Sequence, residues 1–213
     1  MFTITQNNKE LDNSKYTWNA EALILSTNEH NLELNFSDYT GVKFKTGDHC
    51  KFKTGNNCHF ITGSWCEFET GNWCTFTTGA SCRFRTNDHC IFKTSHSCKF
   101  FDIGCGCTFL TGSHCTFDTE DDCDFKTGYD CTFIAGFNCK FETDCICRFI
   151  TGAFCTFKTS YSCIFHTGHS CTILTGENCF VARFDVKGCI GTTKDVAIKL
   201  NEHGISGYNE IVL

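Results

Sequence analysis

TGDHCKFK (46–53), TGNNCHFI (54–61), TGSWCEFE (62–69), TGNWCTFT (70–77) and TGASCRFR (78–85) follow one another without a break. The unit has eight residues, T-G-x-x-C-x-F-x, and it persists to Ala182. Seventeen in-register cysteines mark it from Cys50 to Cys179, and only the step from Cys98 to Cys107 is nine residues. A short fixed period over most of a chain is the signature of a solenoid.

Within one unit Cys and Phe are two residues apart, and the next Thr lies two beyond Phe. Side chains of a strand alternate between faces, so Cys50, Phe52 and Thr54 point one way and His49, Lys51 and Lys53 the other. The first set is apolar or small and the second polar, which describes a half-buried strand with Cys-Phe-Thr inward. A helical period would scatter the Phe residues around a circumference. The residue after Thr is usually Gly, with Asn87, Ser95, Glu120, Asp144 and Ser160 as exceptions. Gly, Asn and Asp tolerate positive φ, so this position is expected to make the corner. The chain has no proline, which suits a sheet in which nearly every N–H must pair.

The outward charges decide how many units make a coil, because residues one coil apart become neighbours about 4.8 Å apart. At a spacing of sixteen, Lys51, Glu67 and Arg83 alternate in sign, as do Lys53, Glu69 and Arg85 and also Lys126, Glu142 and Lys158. At twenty-four, Asp118 would meet Glu142, a like-charge contact. Opposite-charge neighbours on a sheet contribute about 0.2–1 kcal/mol each, so their value here is as a register mark. The expected fold is all-β: a two-faced parallel β-solenoid, or β-helix, with 16 residues per coil and non-repeat caps.

The caps are expected at 1–31 and 183–213, with the octapeptide-repeat solenoid at 32–182 as part of one domain. Ala22–Leu25 reads as a capping strand. Leu34 and Val42 take the place of Cys, with Phe36 and Phe44 keeping that of Phe, and Ile173 and Val181 replace Phe at the far end. The Cys column therefore asks for apolar volume before sulfur. Asp102-Ile103-Gly104-Cys105-Gly106 carries one added residue, the arithmetic of a bulge. Asp195–Leu200 and Gly207–Ile211 alternate as short cap strands, which a solenoid needs over its open edges. No apolar run with a basic flank suggests a secretory signal, and no membrane span is expected.

Twenty cysteines in 213 residues need an account. Stacked thiols in adjacent parallel strands suit the torsion of a disulfide poorly, so buried reduced thiols acting as small hydrophobes are expected. That implies a reducing location, cytoplasm or virion. The other reading is metal binding. No C-x-x-C occurs, but C-x-C does at Cys105/Cys107 and Cys145/Cys147, each setting two thiols near a corner, and these four are the metal or bridge candidates. Cys189 lies out of register and is expected to be exposed.

The histidines form no catalytic motif and the thiols are expected to be buried, so neither an enzyme nor a cofactor site is expected. Asp118, Glu120, Asp121, Asp122 and Asp124 read as a solvated acidic corner. A Thr column suited to ice binding (Thr75, Thr108, Thr156, Thr172) is interrupted by Ile91, Asp124 and Lys140. A net charge of −6 disfavours nucleic acid. Trp65, Trp73, Tyr129, Phe137, Phe154 and Tyr161 occupy corner positions and are the candidate interaction residues, toward a protein or a glycan. Self-association is expected, as a dimer through the Ile134/Ile150 column or by end-to-end stacking.

The string TGxxCxFxTGxxCxF resembles uncharacterised cysteine-rich octapeptide-repeat proteins predicted in phages, giant viruses and some bacteria. The likeness covers Phe36 to Ala182, and Lys199-Leu200-Asn201 with Ile205-Ser206-Gly207-Tyr208 resembles a tail that follows such repeats. The resemblance implies a virus-associated β-solenoid and carries no activity onto any residue. Cys105, Cys145 and the nine-residue step depart from the pattern. The leading expectation is a non-enzymatic structural or interaction module, a rigid rod or spacer; the alternative is a cysteine-based metal-binding or redox protein.

Overall fold

The computed structural model describes residues 2–212. It is an all-β chain of stacked parallel coils 16 residues apart, a β-solenoid of about 10 turns. Contacts divide it into two units, Met1–Cys107 and Thr108–Leu213.

In the first unit, sheet I stacks Leu32–Phe36, Lys51–Thr54, Glu67–Thr70, Arg83–Thr86 and Lys99–Ile103 in parallel. Sheet II stacks Ile24–Ser26, Lys43–Lys45, His59–Ile61, Thr75–Thr77 and Ile91–Lys93. In the second unit, sheet III runs through Thr116–Thr119, Thr132–Ala135, Arg148–Thr151, Ile164–Thr167 and Phe180–Arg183. Sheet IV holds Thr108–Leu110, Asp124–Thr127, Lys140–Thr143, Thr156–Lys158 and Thr172–Leu174. The register is the one the charges marked: Lys51 pairs with Glu67, Glu67 with Arg83, and Lys126 with Glu142.

Phenylalanine fills the space between the two sheets of each unit. Along a sheet the rings stack, Phe52 on Phe68 at 5.0 Å and 2°; across the core they meet edge to face, Phe60 on Phe68 at 5.2 Å and 74°. The second unit repeats this with Phe133–Phe149 at 4.9 Å and Phe141–Phe149 at 76°. Phe76 and Phe92 are fully buried. Each ring thus has two offset neighbours in its own sheet and edge contacts opposite, arrangements worth about 0.5–1.5 kcal/mol per pair beyond burial.

The corner differs from the sequence expectation. Positive φ falls not on the glycine but on the residue just before each cysteine, such as His49 (58°), Trp65 (61°), Ile146 (63°) and Phe154 (61°). A left-handed residue costs about 1–2 kcal/mol. It turns its N–H onto the following coil, His49 to Ser64 O at 2.9 Å and Trp65 to Ala80 O at 3.0 Å. The glycine serves close approach instead: a Cβ on Gly168 would sit 2.7 Å from the Ala153 nitrogen and 2.9 Å from the Gly152 carbonyl carbon.

The first coil is also corrected. Leu34 pairs with Phe52 and Phe36 with Thr54, so Leu34 stands in the Phe column and Leu32, two residues earlier, in the Cys column. The step from Leu34 to Phe52 is eighteen residues because the connection through Ser37–Gly41 is longer. Phe36 thereby reaches the end of the core, where it stacks on Phe2 at 4.4 Å and meets Trp18 and Tyr39 at 5.7 and 5.6 Å. Val42 does hold the Cys place, since Lys43 pairs with His59. The odd residue near position 102 is absorbed inside a strand. Phe101 turns outward, Asp102 takes φ 48°, and Ile103 returns to the core. Gly104 and Gly106 then fill the ordinary corner positions.

Antiparallel strands cover the ends. Thr3–Gln6 lies on Leu32–Phe36, and Thr17–Asn19 on Ile24–Ser26, the latter being the capping strand foreseen near Ala22–Leu25. At the far end Cys189–Gly191 covers Phe180–Arg183, and Ala197–Leu200 with Tyr208–Ile211 covers Thr172–Leu174. A buried ion pair latches this cap. The Arg183 guanidinium bonds both Asp185 carboxylate oxygens (3.0 and 2.6 Å) and the carbonyls of Ile205 and Glu202. Among the described residues no helix is long and apolar enough to cross a membrane.

Two outcomes follow from these contacts. Gly168→Ala should lower stability by about 1–3 kcal/mol in chemical denaturation, whereas Gly191→Ala, with open space around its Cα, should change it by less than about 0.5 kcal/mol. The Arg183 hydrogen bonds hold the Asp185 carboxyl down to about 2. A folded pKa below the unfolded value of about 3.9 means the latch contributes fully above that value and is lost as pH falls toward 2. Protection of the Gly204 N–H, which donates to Asp185 at 2.7 Å, should fall across that interval, and Asp185→Asn should reproduce the loss at neutral pH.

Candidate interaction surfaces and the thiol columns

The corner residues sit where the coil must turn, so their side chains project to solvent. Trp65, Trp73, Tyr129, Phe137, Phe154 and Tyr161 are all exposed. They do not gather into one ridge. Trp65 precedes a sheet I strand and Trp73 a sheet II strand, while in the second unit Tyr129 and Tyr161 precede sheet III strands and Phe137 and Phe154 sheet IV strands.

Four of the six instead lean on a histidine one coil away. Trp65 stacks on His49 at 6.1 Å and Trp73 on His89 at 4.3 Å, while Tyr129 meets His114 and Phe154 meets His169 edge to face at 5.0 and 5.2 Å. The sequence reading missed these pairs, although histidine and aromatic residues spaced by about one coil were a usable signal. Tyr161 bonds the Cys145 thiol, which together with the neighbouring Cys145 and Asp144 charges pushes the phenol above its ordinary value.

The faces between corners differ in character. On sheet I, Lys51 pairs with Glu33 at 3.7 Å, Lys53 with Glu69 at 3.0 Å, Arg83 with Glu67 at 3.8 Å and Arg85 with Asp102 at 2.7 Å. The two charged rows border an open trough of 720 Å³ along the sheet. Exposed pairs of this kind contribute about 0–1 kcal/mol each and serve register and solubility. Sheet IV carries a shorter version, Lys126–Glu142 at 3.3 Å and Lys140–Asp124 at 3.9 Å.

Sheet III is the apolar face. Ile134 and Ile150 are direct neighbours in register, and so are Ile164 and Phe180. Their exposures are 46, 46, 52 and 53%, and Phe184 extends the patch by packing on His166 at 3.9 Å.

The in-register thiols form inward columns. Within a column the cysteine N–H donates to the sulfur of the following coil, as from Cys50 to Cys66 at 3.4 Å, Cys90 to Cys107 at 3.3 Å and Cys163 to Cys179 at 3.2 Å. The same sulfur reaches corner carbonyls: Cys66 Sγ lies 3.6 Å from Ser64 O and 3.7 Å from Gly47 O. Sulfur is therefore a hydrogen-bonding group here as well as an apolar volume. Bonds along the column set the thiol acidities. The hydrogen bond to the preceding thiol, aided by burial, pushes Cys131, Cys147 and Cys163 up to about 11. Cys155 accepts from both neighbours and is lowered, and Cys50, accepting from Cys66 at the open end of its column, falls to about 7.

The C-x-C pairs diverge. Ile146 turns with φ 63° between its cysteines, so Cys147 joins its column while Cys145, itself buried, bonds Tyr161. Cys107 lies in its column, receiving the Cys90 N–H, and half-buried Cys105 donates its N–H to Asp88 at 3.0 Å. Cys189 is exposed, as expected.

No protein-family model, curated protein or solved structure matches this chain.

Thiol counting with a bulky reagent under reducing preparation should label Cys189 quickly, Cys105 slowly and the buried columns scarcely at all. Denaturation without reductant should then expose nearly all twenty thiols. A denatured count that stays low would mean bridged or metal-bound cysteines.

Proposed function

We propose that this chain is a non-enzymatic structural or interaction module, a rigid β-solenoid that presents flat faces at fixed spacing to a partner. The observation that carries the reading is the exposed apolar patch of sheet III, Ile134, Ile150, Ile164 and Phe180, where sheets I and IV carry charged ladders instead. Contiguous apolar surface of this kind marks a contact surface, and flat sheets pack face to face at about 10 Å.

The partner that fits is a second copy of the chain. Asp118 and His166 flank the Ile134/Ile150 column, one coil beyond it on either side. A two-fold axis between the Ile134 and Ile150 coils sets Ile134 of one copy on Ile150 of the other and Asp118 of each against His166 of the other. An isologous contact of this type closes at two subunits.

Light scattering and sedimentation should find a dimer, and Ile150→Lys should give a folded monomer with unchanged β-sheet circular dichroism. A wild-type chain that stays monomeric at high concentration overturns the reading.

A further inference from the structure

We propose that the thiol columns are a track for monovalent d¹⁰ ions of the Cu(I) type, each held linearly between two cysteine sulfurs one coil apart. The inference does not rest on the apolar face or on dimerisation.

Its first support is spacing. Cys131, Cys147, Cys163 and Cys179 occupy identical places in consecutive sheet III strands, in register through Phe133–Phe149, Phe149–Phe165 and Phe165–Val181, so their thiols follow one another along the sheet. Adjacent strands lie about 4.7–4.9 Å apart. A bond from thiolate to a late first-row metal is about 2.3 Å, so a linear sulfur–metal–sulfur unit spans about 4.6 Å. The track accepts such an ion without moving a strand.

Coordination number is the second support. An interior thiol of a column has one thiol before it and one after it. That geometry serves two-coordinate ions and not the tetrahedron that structural zinc requires. Soft thiolate ligands in turn select Cu(I).

Charge is the third. When three ions enter the run of Cys131, Cys147, Cys163 and Cys179, four S–H bonds break, six sulfur–metal bonds form and four protons leave to water. No electron is transferred, and the run changes from neutral to a single negative charge. Thiolate and monovalent cation nearly cancel along the column, so little uncompensated charge is buried. The cysteine N–H groups already aimed at the sulfurs, at 3.2 Å for Cys179 and 3.3 Å for Cys171, would hold the bridging thiolates, as outer-shell hydrogen bonds do at metal sites. Because the columns are buried, loading accompanies folding or local opening of a coil.

The test uses the full, reduced chain without oxygen and Ag(I) as a redox-inert probe. Silver is added before refolding in one sample and to folded protein in another, and both are desalted against glutathione. Native mass spectrometry should count one ion for each pair of neighbouring in-register thiols, three of them on the run from Cys131 to Cys179. X-ray absorption at the silver edge should find two sulfurs per ion. Cys147→Ala should lose the two ions that bridge to Cys131 and Cys163; if that variant does not fold, Cys179→Ala at the column end should lose one. Three or four sulfurs per silver, a count unchanged by these variants, a count abolished by Cys189→Ser, or silver that blocks refolding would overturn the proposal.

Discussion

Nearly every backbone hydrogen bond of a coil is made to the coil before or after it. This one constraint orders the rest of the structure. A coil has little stability alone and gains it from its neighbours, so positions must recur at one spacing or the ladder fails. The corners obey it as strictly as the strands: Gly63 N–H reaches Gly47 O at 3.3 Å, and the left-handed residue after it in each turn donates forward. Where the chain holds one residue too many, Phe101 and Asp102 take it up within a strand and the corner geometry survives.

The same constraint explains the cysteines better than volume does. At the Cys position the N–H points along the solenoid and the following sulfur accepts it. Leu32 begins its column and needs only donate, which it does to Cys50, and Val42 donates likewise to Cys58. Sulfur is dispensable at Leu32 because the strand before it, Thr3–Gln6, runs antiparallel and is not a repeat strand. A reading from apolar volume alone was right about burial and missed the hydrogen bond, since a sulfur that accepts leaves no mark in a hydropathy pattern.

What the sequence disclosed is what repeats. Inward Cys-Phe-Thr, the sixteen-residue coil and the charge rows each recur many times, so Lys51, Glu67 and Arg83 suffice to set the register. What it hid is local. The corner was read at the Gly position alone, and Trp65, Trp73 and Phe154 before Cys give no compositional sign of positive φ; only the forward N–H bond shows why they are held there. The eighteen-residue first coil was hidden because Leu32, Leu34 and Phe36 alternate equally well in two registers, and the choice falls to a tertiary contact, Phe2 on Phe36.

A fixed spacing also limits the chemistry that a repeat can hold. In-register side chains meet two like neighbours in a line, so a column can stack rings, alternate charges or line up sulfurs. A single column does not by itself supply the tetrahedron of ligands that structural zinc requires. Charged groups and carbonyls gather where the period is broken. Arg183, Asp185 and the carbonyls of Glu202 and Ile205 do converge, and they do so in the cap, after the repeat has ended. The regular coils are therefore suited to surfaces and linear arrays, and their chemistry follows from the strand spacing.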